Sequence, residues 1–197
     1  SGNSGKFLKT DGSSLSFAAA GGLLGMNQYM TADQFTINPS GTDWTSLRAA
    51  HKVDYTAKST TSHFLLESFI SQGMDSHDTM FTLNWWDSLK GLSNGNELFT
   101  LANQAGSRER GTFATFASGA GVSSAWDDYW FDGKFFSALY YPDSGQRSTS
   151  ARTFQPVFRR NNYNFNMRFN SSYTDNAVGL TGISVIKVTE IDGGIVG

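Results

Sequence analysis

Residues 163–169 read Tyr-Asn-Phe-Asn-Met-Arg-Phe, apolar at Tyr163, Phe165, Met167 and Phe169 and polar at Asn164, Asn166 and Arg168. A two-residue period puts the two sets on opposite faces of an extended chain, one dry and one wet. Val53-Asp-Tyr-Thr-Ala57 repeats the pattern, and Ile183-Ser-Val-Ile-Lys-Val-Thr-Glu-Ile191 reads as a long strand. Further strands are expected at 34–37, 63–71, 79–86, 97–101, 112–117, 134–141 and 154–160. Turn formers separate them, as in Ser93-Asn-Gly-Asn96, Ala117-Ser-Gly-Ala-Gly121 and Pro142-Asp-Ser-Gly145. About ten strands at such spacing predict an all-β, antiparallel β-sandwich of jelly-roll type rather than a parallel sheet. Short helical turns are expected within 40–51 and 120–131. No repeat of about 20–50 residues recurs, which argues against a β-helix or propeller.

Composition points the same way. A chain of 197 residues can bury about 70% of its unfolded surface, enough for one core. Helix formers are scarce while Ser, Thr, Asn, Gly and aromatics abound. With no cysteine there is no disulfide, thiolate chemistry or Cys-ligated metal. A net charge of −2 and a pI near 5.9 argue against a general nucleic-acid binder. No apolar run reaches the ~20 residues of a membrane-spanning helix, and no basic start followed by an apolar stretch marks a secretory signal. The start at Ser1 without Met is what a processed product or a piece of a longer fibre would show.

Three adjacent aromatic pairs fall inside predicted strands: Trp85-Trp86, Phe135-Phe136 and Tyr140-Tyr141. Neighbouring strand residues point to opposite faces, so one member of each pair must leave the space between the sheets. Either loops cover the outward member or a subunit interface does; Trp85 and Trp86 are assigned here to an interface, because soluble monomers rarely expose several large aromatics together.

Candidate chemistry is sparse. His51, His63 and His77 share no metal-ligand spacing, and Asp75-Ser-His77-Asp78 reads as a solvated turn. Asp127, Asp128 and Asp132 stand among Trp126, Tyr129, Trp130 and Phe131. Carboxylates beside aromatic platforms suit a sugar-binding groove, and equally a glycosidase or a helix-capping turn. Adjacent Asp residues cannot both face one cleft from a regular strand, so the expectation is receptor or glycan contact at Trp126, Asp127, Asp128, Tyr129, Trp130 and Asp132, with no catalytic residue. No phosphate-cradling loop, nucleophile elbow or dinucleotide fingerprint is present, and nothing asks for a cofactor or metal. Arg147, Arg152, Arg159, Arg160 and Arg168 follow an Asp-rich stretch at 127–143. Solvated faces account for this, as would contact with anionic polysaccharide or a register-fixing contact between subunits through Arg159 and Arg160. Asn170-Ser-Ser172 fits a glycosylation acceptor pattern by accident.

At the other end, residues 5–17 read Gly-Lys-Phe-Leu-Lys-Thr-Asp-Gly-Ser-Ser-Leu-Ser-Phe. Asp11-Gly12 is a turn signal between two very short strands. Phe7, Leu15 and Phe17 are too few apolar groups for that hairpin to stand alone, so its completion by copies of itself is expected. The following Phe17-Ala-Ala-Ala-Gly-Gly-Leu-Leu-Gly25 reads as a linker or as a junction where chains meet. The expected division is an N-terminal hairpin and junction over 1–33 and a globular domain over 34–197.

The segment at 5–17 resembles the G-K-(F/Y)-L-x-T-D-G-(S/T)-x-L-(S/T)-(F/W) motif of bacteriophage tail fibres and related virion proteins, where it precedes a globular C-terminal domain. From Trp44 onward the chain loosely resembles a domain at the ends of structural proteins of marine phages, including cyanophages, with a closing "I-(S/T)-x-I-x-(V/A)-x-E-I" strand matched by 183–191. Phe64-Leu-Leu-Glu-Ser-Phe69 stands where that family has a hydrophobic strand. The resemblance implies a non-enzymatic homotrimeric virion protein that joins other virion proteins through its N-terminus and binds a polysaccharide or protein receptor on the host surface. It carries over no binding residues. The aromatic-rich stretches 85–90 and 126–141 depart from the family pattern and are where a receptor site is expected. A capsid decoration protein and a glycan depolymerase are the alternatives.

Overall fold

Alternation along 184–191 does what the sequence asks: Ser184, Ile186, Val188 and Glu190 are buried while the residues between them are half-buried. The computed structural model describes residues 6–10, 12, 15–19, 22–38, 43–46, 48–74, 80–99, 113–116, 131–160, 167–171 and 181–193. Among them run β1 (Lys6–Thr10), β2 (Leu15–Ala19), β3 (Leu23–Thr31), β4 (Phe35–Ile37), β5 (Thr45–Ser46), β6 (Val53–Thr56) and β7 (His63–Met74). They continue with β8 (Met80–Asp87), β9 (Phe113–Phe116), β10 (Phe131–Tyr140), β11 (Ala151–Arg160), β12 (Met167–Phe169) and β13 (Ser184–Ile191). Every pairing is antiparallel.

The strands form a two-stranded hairpin, a six-stranded sheet and a five-stranded sheet. In the larger sheet β10 lines one side of β7, while β13 and β12 share the other side and carry β3 and β4 beyond them. In the smaller sheet β11 is flanked by β8 on one side and by β5 and β6 on the other, with β9 outside β8. Phe64, Leu66, Ile70, Phe136, Phe169, Ile186 and Val188 of the larger sheet meet Val53, Leu83, Trp85, Phe154 and Phe158 of the smaller in one core. Each fully buried Phe contributes about 1.5–3 kcal/mol by leaving water. The two sheets thus pack face to face.

Three expectations need correcting. The stretch assigned to a junction through residue 33 contains β3, which pairs along β13 as part of the larger sheet; the domain therefore starts earlier, because Leu23 to Thr31 supply an edge for β13. Within 43–51 the described chain is extended or turned rather than helical, since Thr45–Ser46 is drawn into the ladder of β11. Glu97–Phe99 are not a strand: Asn84 instead holds Phe99 through its side chain, Nδ2 donating to the Phe99 carbonyl at 2.9 Å and Oδ1 accepting from Phe99 N at 3.2 Å. The predicted strand at 163–169 is described at Met167–Phe169, and 120–130 lie outside the described residues.

Two polar clusters fix the register. Glu190, the acidic residue of the closing strand, is fully buried. Its Oε1 accepts from Lys58 N at 2.6 Å and Ser62 Oγ at 2.5 Å, and its Oε2 accepts from the Tyr55 hydroxyl at 2.9 Å. Burial, then the neighbouring carboxylate, pushes the Tyr55 pKa up, which keeps that hydroxyl a donor. Gly25 lies opposite Glu190 across the β3–β13 ladder, where a Cβ would collide with the Tyr55 hydroxyl. Asn170, at φ 60, tolerates the left-handed region because its short amide bonds locally. Its Nδ2 donates to the Thr31 and Asp33 carbonyls at 3.1 and 2.9 Å, and its Oδ1 accepts from Ser184 Oγ at 2.7 Å. A side chain so enclosed is no glycan acceptor.

Candidate functional site

Each sheet has an outer face, and the two differ. On the smaller sheet Trp85 points into the core and Trp86 points out, as strand alternation requires, yet both are buried, at 0% and 7% exposure. Trp86 packs with Trp44 and Val157 in a second apolar cluster. Trp44 is held by its backbone N–H, which donates to Asn94 Oδ1 at 2.9 Å, and the Arg159 guanidinium lies over its ring at 5.0 Å. Gln155 Nε2 donates to the Arg48 carbonyl at 3.0 Å. The assignment of Trp85 and Trp86 to a subunit interface is therefore corrected: Trp85 lies in the core, and Trp44, anchored to Asn94, covers Trp86.

Arg152 is also used internally. It pairs with Asp87 at 3.4 Å with both side chains buried, lies 5.0 Å from the Phe64 ring centroid and donates to the Gln146 carbonyl. Burial raises the Asp87 pKa, opposed by the Leu89 N–H and by Arg152. Arg147 Nε donates to the Pro142 carbonyl at 3.1 Å.

Among the described residues, none covers the outer face that β3, β13, β7 and β10 present on the larger sheet. The ladders align Met30, Val185, Phe69 and Phe135 in one cross-strand row over β3, β13, β7 and β10. The next row is Gln28, Lys187, Glu67 and Ser137, and the one after it Met26, Thr189, Leu65 and Leu139. Leu23, Ile191 and His63 follow, with the Tyr141 ring 4.4 Å from that of His63. Phe135 is 63% exposed, and Leu23, Met26, Met30, Phe69, Tyr141 and Ile183 are exposed as well. Lys187 Nζ and Glu67 Oε2 form an ion pair at 2.5 Å in the middle of this face. The Phe69 ring spreads over Gly133 on the adjacent strand, where an added Cβ would lie 2.7 Å from it. Between Phe69, Phe135, Val185 and Lys187 runs a groove of about 120 Å³, below the ~300 Å³ at which small-molecule pockets begin. The geometry suits a flat apolar partner better than a sugar.

Other predicted positions fall as follows. Trp126, Asp127, Asp128, Tyr129 and Trp130 lie outside the described residues, as does Asp75-Ser-His77-Asp78. Asp132 sits on β10 opposite Gln72, and Arg160 on β11 opposite Phe81. In the hairpin Phe7 is registered with Ala18, Phe17 with Leu8 and Leu15 with Thr10. His51 is buried between Tyr29 and Phe35. Sequence reasoning missed Met30, Phe69, Val185, Lys187 and Glu67. A signal existed: Phe64-Leu65-Leu66 and Phe69-Ile70 put apolar groups on both parities of one strand, so that neither of its faces is wholly polar.

No protein-family model matches the chain, and no curated protein does. Among solved structures, infectious bursal disease virus of the Gx strain is similar at TM-score 0.38 and 9% identity, over 94% of this chain and 40% of the other. The Gt strain gives TM-score 0.38 and 9% identity over 94% and 46%. The VP2 subviral particle of the same virus gives TM-score 0.34 and 7% identity over 94% and 43%. The chain spans less than half the length of each.

Proposed function

We propose that this chain is a structural virion protein, the terminal part of a phage fibre or adhesin that contacts the host surface as a homotrimer and performs no catalysis. The sandwich is then a tip domain of jelly-roll type. What supports the reading is the segment at 5–17: the residues that resemble the fibre motif form a hairpin of their own, β1 with β2. Gly12, in the link between the strands, takes φ 91, a conformation that glycine adopts without a steric cost. Two strands do not hold together alone in water, so a hairpin paired with no other described strand calls for completion by other chains.

The experiment is adsorption of the purified protein to host cells and to host polysaccharide, with reducing ends assayed in parallel. Adsorption without sugar release is expected. Sugar release abolished by Asp127→Ala or Asp128→Ala would replace the adhesin with a depolymerase, and absence of both would leave a capsid decoration role.

A further inference from the structure

We propose that the open outer face of the six-stranded sheet is buried against a second copy of this chain. The inference rests on the part of the proposed function that has copies assembling, with two copies paired face to face at this surface rather than three around one axis, and it moves the contact from the Trp pair to the row around Phe135.

Three features select a copy of the same chain as the occupant. The first is size. Four strands at about 4.8 Å spacing and nine residues at about 3.3 Å rise span about 500 Å². Two such faces bury about 1,000 Å², where specific interfaces begin. The second is shape: a twisted sheet face with a shallow groove accepts another sheet face at about 10 Å. The third is charge. A twofold axis parallel to the strands keeps every row at its own height. Apolar rows then meet themselves, and with the axis between β13 and β7 a twofold places Lys187 of each copy over Glu67 of the other. One face therefore carries both halves of its own complement.

Sedimentation of the whole chain tests this. The wild type should associate at micromolar concentration. Phe135→Asp, at an exposed ring, should keep the melting temperature of the folded protomer and raise the dissociation constant about thirtyfold or more, as loss of a central aromatic anchor does. Glu67→Lys and Lys187→Glu should each self-associate poorly, while an equimolar mixture of the two recovers mixed oligomers, which a purely intramolecular ion pair cannot produce. A wild type that stays single at every soluble concentration overturns the inference, leaving another occupant for this face. Oligomers unaffected by Phe135→Asp overturn it too, while leaving the adhesin reading intact; intact oligomers that fail to adsorb to host cells count against the adhesin alone.

Discussion

Trp86 and Phe135 begin from the same sequence situation and end differently. Each belongs to an aromatic doublet in a strand, each sends its partner (Trp85, Phe136) into the core, and each points out of the sandwich. Trp86 is 7% exposed and Phe135 63%. The difference lies not in the strands but in what the rest of the chain brings to them: Trp44 arrives over β8 and β11, whereas no described residue plays that part over β7 and β10. An outward aromatic is thus an unfinished statement, completed in one place by the protomer itself and left open in the other.

The contrast can be broken by removing the cover. Trp44→Ala should cost about 3–5 kcal/mol in urea unfolding and shift Trp emission to the red as Trp86 meets water. A loss below about 1 kcal/mol would mean that Trp86 is protected by something else. Acid tests the same covering segment. His51, just beyond it, has its pKa lowered to about 4 by burial and then by Arg48. The unfolded chain binds the proton near pH 6.5 and the folded chain only near pH 4. Stability should therefore be full above about pH 6.5 and fall by about 3 kcal/mol as pH drops to 4. Thermal melts across that window should flatten in His51→Phe; an unchanged slope would place the titration elsewhere. The smallest effect is expected on the open side, where Phe135→Thr, measured on dilute protomer, should alter stability by under about 0.5 kcal/mol. A change above 2 kcal/mol would make Phe135 part of the protomer's own core and erase the contrast.

Much of the fold was legible because period-two alternation depends only on neighbours: β6, β7, β8, β9, β11 and β13 lie where Val53, His63, Leu83, Phe113, Phe154 and Ile186 suggested. β3 was hidden by its approach, since Gly21-Gly22-Leu23-Leu24-Gly25 reads as a linker until β13 supplies a ladder. The surface was half legible. Strand parity told that one member of each doublet turns outward, but not which one, nor that Trp44, distant in sequence from Trp86, would cover one of them. The same distance hid the Asp87–Arg152 pair, which made an arginine-rich stretch look like surface charge. Glu190 could be recognised as a motif residue, though not as the anchor that Lys58, Ser62 and Tyr55 share.

β13 lies between β3 and β7 in the larger sheet, although it is the last of the described strands along the sequence. A nascent chain emerging from the ribosome must therefore carry β3 without its described ladder partner until residue 191 is available. Closure of that sheet waits for this strand, and a chain truncated upstream of Ser184 would carry an unfilled slot between two exposed strand edges, a template for aggregation rather than a smaller working domain.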